Sequence, residues 1–250
     1  MRAAIVIPAR YDSKRLPGKP LMKDGRGKPL IQYVWEAACR ASSAERVIVA
    51  TDDDRIREAA LEFGGEVRMT SPGHRSGSDR VAEIAAELDH DVVVNVQGDE
   101  PALRPQAIDR AIRLLAEDGE CVIGTLAARI ESEEELADSN VVKVVVDDAW
   151  RALYFSRSPI PHVRGSTAPV ADSPAPHMIH VGVYAYRRDF LLRFAGLPPH
   201  PLEQAERLEQ LRALANGYRI KVGLIPHRPM KVDTPEDFRV FCDFTSRTES

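Results

Sequence analysis

Ala3-Ala4-Ile5-Val6-Ile7 runs without a polar interruption into Pro8-Ala9-Arg10-Tyr11-Asp12-Ser13-Lys14-Arg15-Leu16-Pro17-Gly18-Lys19, and this junction decides the fold. A short continuous apolar run bounded by turn residues reads as a strand buried on both faces. Feeding such a strand into a basic, turn-rich loop and then a helix is how open α/β sheets present positive charge at the carboxyl end of strand one. The loop carries Arg10, Lys14, Arg15 and Lys19, so a polyanion is the expected ligand.

The spacing excludes the two commoner nucleotide loops. No G-x-G-x-x-G follows the strand, and Gly18-Lys19 is followed by Pro20 where a Walker loop needs a hydroxyl. What remains is a longer loop in which Arg10, Arg15 and Lys19 converge on separate oxygens of one triphosphate, arginine by bidentate contact and lysine as a point charge. A solvated basic loop is the alternative reading of a charge run. Pro17-Gly18 and the strand before it favour the ligand loop.

Working outward, Val47-Ile48-Val49-Ala50, Val92-Val93-Val94-Asn95-Val96 and Val122-Ile123-Gly124-Thr125-Leu126 read as further buried strands. Helices are expected near 30–42, 54–63, 79–88 and 106–116. Apolar strands alternating with helices predict an α/β core with a doubly wound, mainly parallel sheet. After about residue 128 the rhythm changes. Val141–Val146 and Arg151–Phe155 are spaced to pair as a hairpin, a Pro-rich stretch over 158–176 reads as a mobile surface loop, and 129–190 reads as a smaller inserted lobe on a single domain spanning 1–250. A strand at 181–186, a helix over 201–216 buried along Leu202, Ala205, Leu208, Leu211 and Ala215, a strand at 219–225 and a helix after Thr234-Pro235 complete the chain.

Hydrophobic residues make up 44% of the 250, enough for a full core, and the formal net charge of -4 offers no global field for nucleic acid or an anionic membrane. Polyanion binding is therefore local. Cys39, Cys121 and Cys242 show no metal-ligand spacing and read as free thiols in a reducing compartment. With neither a signal peptide nor a membrane span legible, a cytoplasmic location is expected.

Two carboxylates stand where phosphoryl chemistry wants them. Asn95-Val96-Gln97-Gly98-Asp99-Glu100-Pro101 follows a buried strand on the same sheet edge as the basic loop, and Asp99 suits a hard cation that needs one or two carboxylates beside substrate phosphates. Gly98 is expected to let a ligand approach. In Val232-Asp233-Thr234-Pro235-Glu236-Asp237, Thr234 can cap the last helix with Asp237, which leaves Asp233 free for another role. Asp52, Asp53 and Asp54 read as cap and first-turn residues rather than a metal site.

Together with Ala152-Leu153-Tyr154-Phe155-Ser156-Arg157 and Leu208-Glu209-Gln210-Leu211-Arg212, these strings closely resemble the 3-deoxy-manno-octulosonate cytidylyltransferase family, in order over essentially the whole chain. The resemblance implies a GT-A-like nucleotidyltransferase fold, a homodimer using 120–190, Mg²⁺ dependence, CTP and the sugar acid Kdo as substrates, and a role in lipopolysaccharide inner-core synthesis. It implies that Arg10 and Lys19, supported by Arg15, hold the triphosphate beside Pro8 and Ala9. Arg75-Ser76-Gly77 would bind the base, and Asp99 and Asp233 the metal. Gln97, Arg157 and Arg164 would meet the sugar's carboxylate, with His180, Tyr184, Glu209 and Gln210 near its hydroxyls. By periodicity alone Glu209 and Gln210 face solvent. The chain departs from several relatives, which have a Gly-containing segment, at Pro226-His227-Arg228-Pro229-Met230-Lys231, leaving open a modified Kdo as the preferred octulosonic acid, and a cytidylyltransferase for another acidic sugar is a separate alternative. A non-catalytic nucleotide-binding protein is the reading from another class. It would tolerate loss of Lys19, Asp99 or Asp233, and all three are present.

Overall fold

The computed structural model describes residues 1–12, 16–74, 76–165, 169–173, 175–226 and 228–248. In chain order its elements are β1 (Ala3–Ala9), α1 (Leu30–Cys39), β2 (Arg46–Thr51), α2 (Asp54–Glu62), β3 (Glu66–Met69), α3 (Gly77–Ala86), β4 (Val92–Asn95), α4 (Pro105–Glu117), β5 (Cys121–Arg129), α5 (Glu133–Ala137), β6 (Lys143–Val146), β7 (Ala152–Ser156), β8 (Met178–Arg187), α6 (Arg188–Ala195), α7 (Pro201–Glu206), α8 (Gln210–Ala215), β9 (Arg219–Leu224) and α9 (Pro235–Thr248). Two compact units divide the chain, Met1–Asp109 with Pro229–Ser250 and Arg110–Arg228.

In the first unit the strand order is β3-β2-β1-β4, and every neighbouring pair is parallel. Ala3 to Ile7 and Val92 to Val94 are fully buried, as continuous apolar runs demand of inner parallel strands. Thr234 caps α9 as its spacing predicts: its hydroxyl accepts from the Asp237 N–H at 3.1 Å, and the Asp237 carboxylate accepts from the N–H groups of Thr234 and Asp233 at 2.8 and 2.9 Å. Asp53 caps α2, accepting from the Arg55 N–H at 3.0 Å, and Asp52 pairs at 3.1 Å with the fully buried Arg80. The acidic cluster at 52–54 is thus committed to structure.

In the second unit β5 lies between β8, antiparallel, and β9, parallel, while β6 and β7 form the expected antiparallel hairpin. The register of β5 and β8 slips after Thr125, whose partner is Tyr184, to Leu126, whose partner is Val181. This bulge re-aims the side chains around it.

Several expectations change. The helix over 201–216 is two helices, because Arg207 adopts a left-handed conformation (φ 54°) between α7 and α8. Leu208 and Leu211 are buried, but Leu202, Ala205 and Ala215 are exposed, and Gln210, expected to face solvent, is only 4% exposed. The Pro-rich stretch is pinned in part. Val170 packs with Ala128, Ile130, Val141 and Ile179, and the Pro161 carbonyl lies 3.0 Å from His177 Nε2. β3, α5 and α6 carry no counterpart in the sequence reading.

Candidate active site

The end of β1 and the loop behind it are held by the chain's own contacts. Gly18 sits at φ 69°, in the left-handed region that favours glycine, and an added Cβ would come within 3.2 Å of the Tyr11 ring. The Gly18 N–H donates to the Tyr11 carbonyl at 2.9 Å, and the Arg55 guanidinium stacks on the other partner of that turn, the Tyr11 ring. Immediately after Gly18, a short 3-10 turn over Lys19–Leu21 buries Pro20 and orients Lys19. Arg10 reaches the segment before α3, donating to the carbonyls of His74 and Ser76. The Ser76 hydroxyl caps α3, accepting from the Asp79 N–H at 3.1 Å, while Gly77 packs on Pro8. Arg15 and Arg75 lie outside the described residues.

Lys19, Asp99 and Asp233 come together. Lys19 Nζ lies 2.9 Å from Asp99 Oδ2 and 3.1 Å from Asp233 Oδ1. Lys231 Nζ lies 3.1 Å from Asp233 Oδ2 and 3.7 Å from Asp99 Oδ2. The backbone fixes this arrangement: the fully buried Val232 donates its N–H to the Asp99 carbonyl at 2.9 Å and packs with Leu16, Leu30 and Phe241. Gly98 serves the same closeness, since a Cβ there would meet the Pro8 carbonyl at 3.2 Å and Ile31 at 3.4 Å. Burial opposes ionisation of Asp233, but Lys231 and Lys19 outweigh it and hold its carboxyl below the usual range. Burial likewise opposes the Lys231 charge, and Asp99 and Asp233 hold its pKa up.

Among the described residues no group of three or more His, Cys, Asp or Glu side chains gathers to hold an ion. Two carboxylates beside phosphate oxygens are nevertheless a fitting donor set for a hard divalent cation. Asp99 Oδ1 is buried and has no hydrogen-bond partner among the described residues, which leaves a coordinating oxygen available. Gln97, half-buried, donates from Nε2 to Asn95 Oδ1 at 2.9 Å.

The other expected sugar residues belong to the second unit. Arg157 donates from Nε to the Glu206 carbonyl at 2.6 Å and from Nη1 to the Ser139 carbonyl at 2.9 Å. The Glu206 carboxylate accepts from the Arg157 N–H at 2.8 Å and the Ser156 hydroxyl at 2.7 Å. His180 packs edge-on against Phe155 and tilted against Tyr184, with ring centroids 5.0 and 5.2 Å away, and its Nε2 lies 2.9 Å from the Thr125 hydroxyl. That hydroxyl donates to the Val183 carbonyl at 2.8 Å, so it accepts from an Nε2–H tautomer of His180. Tyr184 stacks on Tyr186 in turn. Glu209 is the residue preceding α8, and Gln210 opens it, buried, with Nε2 unpartnered among the described residues. Arg164 is exposed.

Supporting residues escaped the sequence reading. Lys143 is fully buried and donates from Nζ to the carbonyls of Asp138, Val141 and Arg157 at 2.9, 2.7 and 2.6 Å. Its desolvation pushes its pKa down. A lone lysine in Val141-Val142-Lys143-Val144-Val145-Val146 was the available signal, because a cation amid a buried run needs dedicated acceptors. Glu206 and Thr125 carried no such signal.

The chain is similar to known proteins over nearly its whole length. Residues 4–220 match the family described as Cytidylyltransferase. The 3-deoxy-manno-octulosonate cytidylyltransferase of Geotalea uraniireducens is 51% identical over 242 residues, covering 95% of this chain and 96% of its own. That of Geobacter sulfurreducens is 49% identical over 242 residues, covering 95% and 96%. The solved structure of CMP:2-keto-3-deoxy-manno-octonic acid synthetase complexed with CTP matches with a TM-score of 0.92 at 42% identity, over 99% of both chains. The 4-diphosphocytidyl-2C-methyl-D-erythritol synthase from Anaerococcus prevotii, 15% identical with a TM-score of 0.62 over 98% of this chain and 96% of its own, shares the fold.

Proposed function

The chain belongs to the cytidylyltransferase family, and on that premise we propose that it transfers the cytidylyl group of CTP to 3-deoxy-manno-octulosonate, giving CMP-Kdo and pyrophosphate. The observation that carries the reading is the meeting of Lys19, Asp99 and Asp233 in a chain half identical, over nearly its full length, to relatives of that name. The anomeric hydroxyl of the sugar acid attacks the α-phosphorus of CTP in line, an oxygen–phosphorus bond forms, and the bond to pyrophosphate breaks. Little covalent chemistry falls to side chains, so positioning and charge stabilisation supply most of the rate.

Arg10 and Lys19 answer the triphosphate's negative charge. Arg157, its guanidinium held by two carbonyls, presents a planar donor for the sugar's carboxylate. Gln97, His180, Tyr184, Glu209 and Gln210 orient the hydroxyls, with Gln210 contributing a buried donor that awaits an acceptor. Asp99 and Asp233 would hold Mg²⁺, which when bound supplies positive charge against the phosphoryl oxygens. The product's place is lipopolysaccharide inner-core synthesis in the cytoplasm, and the working form is a homodimer.

The test is pyrophosphate release from CTP with Mg²⁺, with and without Kdo, alongside N-acetylneuraminic acid and with ATP, GTP and UTP as control donors. Release with CTP and Kdo alone is expected. Release with the other acid would keep the chemistry and replace the substrate, and nucleotide binding without release would favour a binding protein. Asp99→Asn and Asp233→Asn should each lower turnover by roughly 10²-fold or more with the fold intact. Near-normal turnover at saturating Mg²⁺ would remove that residue from the metal site.

A further inference from the structure

Four side chains, not three, meet at the carboxylate pair, and the fourth has no role in the reaction as derived above. Lys231 approaches both Asp99 and Asp233, as Lys19 does, so two ammonium groups face these two carboxylates, and the nearby Glu100 adds to the negative field that holds the Lys231 charge. The two lysines differ in how firmly they are held. The Lys19 side chain is 12% exposed and follows a 3-10 turn with buried Pro20, whereas the Lys231 side chain is 50% exposed. Its longer contact, 3.7 Å to Asp99, is beyond hydrogen-bond distance.

A divalent cation gains from two carboxylates only the charge that other cations have not already answered. With both ammonium groups in place, a third positive centre is drawn in weakly and repelled at short range. A triphosphate changes the balance, because its anionic oxygens compete for the same lysines and add oxygen ligands of their own.

We propose that Lys231 is the releasable half of a counter-ion lock: with Lys19 it neutralises Asp99 and Asp233 in the nucleotide-free protein, and the triphosphate opens the carboxylates to a divalent cation by drawing Lys231 away. Metal binding at these carboxylates then follows nucleotide binding. The inference rests on Asp99 and Asp233 being the metal-holding pair.

Mn²⁺ binding, followed by electron paramagnetic resonance on the whole protein, tests this without turnover. The nucleotide-free protein should bind Mn²⁺ weakly. Lys231→Met should bind it roughly fivefold or more tightly, and Lys231→Arg, which keeps the charge, should stay near the parent. Saturation with the non-cleavable α,β-methylene analogue of CTP should bring parent and Lys231→Met to similar Mn²⁺ affinity. Adding Asp99→Asn to Lys231→Met should abolish the gain. If Lys231→Met binds Mn²⁺ no better than the parent without nucleotide, or if the double variant keeps the gain, the lock is overturned. If Asp99→Asn and Asp233→Asn bind Mn²⁺ as tightly as the parent in the presence of the analogue, the metal-site reading fails instead.

Discussion

His180 is kept neutral by its surroundings. Burial pushes its pKa down to about 3 from an ordinary 6.5, and its Nε2 is engaged by Thr125. The unfolded chain takes up this proton near pH 6.5 and the folded chain only near pH 3, so between those values the unfolded state binds more protons. The contribution is fully present above the unfolded pKa and is lost as the pH falls below it, by about 2 kcal/mol between about pH 7.5 and about pH 5. His180→Gln should remove that part of the acid sensitivity. Urea unfolding of both proteins at the two pH values measures it, and equal losses would show that His180 carries no such linkage.

At the scale of elements, α9 holds the second carboxylate in place. Phe241 is 1% exposed and meets Tyr33 edge-on with centroids 5.0 Å apart, in the cluster that also buries Val232. Phe241→Ala should destabilise the protein by about 3–5 kcal/mol, read as a lower denaturant midpoint. Because Val232 precedes Asp233, the same variant should raise the KM for CTP, and an unchanged KM would mean that Asp233 is positioned without α9. The elements legible in the sequence were those whose burial follows one period: β1, β4 and the hairpin announce themselves as apolar runs, and Thr234 with Asp237 announces the start of α9. β3 did not, because Glu66-Val67-Arg68-Met69 is a half-exposed edge strand paired only with β2 among the described residues. The break between α7 and α8 did not either. It rests on an arginine in a left-handed conformation, with neither Gly nor Pro to mark it. At the site, Lys19, Asp99 and Asp233 were legible because their chemistry dictates residue type, while Lys143 and Glu206 act through backbone atoms of distant segments, which no local pattern encodes.

On the scale of the whole molecule, no helix among the described residues is long and apolar enough to cross a membrane. Large apolar side chains nevertheless remain in solvent on the second unit, with Trp150, Leu153 and Leu224 38%, 61% and 41% exposed. Leu153 lies in β7, inside the segment expected to join two copies. Multi-angle light scattering should return the mass of a dimer, and Leu153→Asp should shift it toward the monomer. A monomer at every concentration for the parent protein would rule the homodimer out.

Lys19 and Asp99 are separated by 80 residues, but Lys19 and Asp233 by 214. Long loops close at a free-energy cost that grows only slowly with length, yet the partner must first exist. During synthesis the basic loop and the first carboxylate emerge well before the second, so the cluster around Lys19 cannot close until the chain has grown past Asp233. A nascent chain stopped short of Asp233 therefore lacks half of its acidic pair and leaves Lys19 with Asp99 alone of the two.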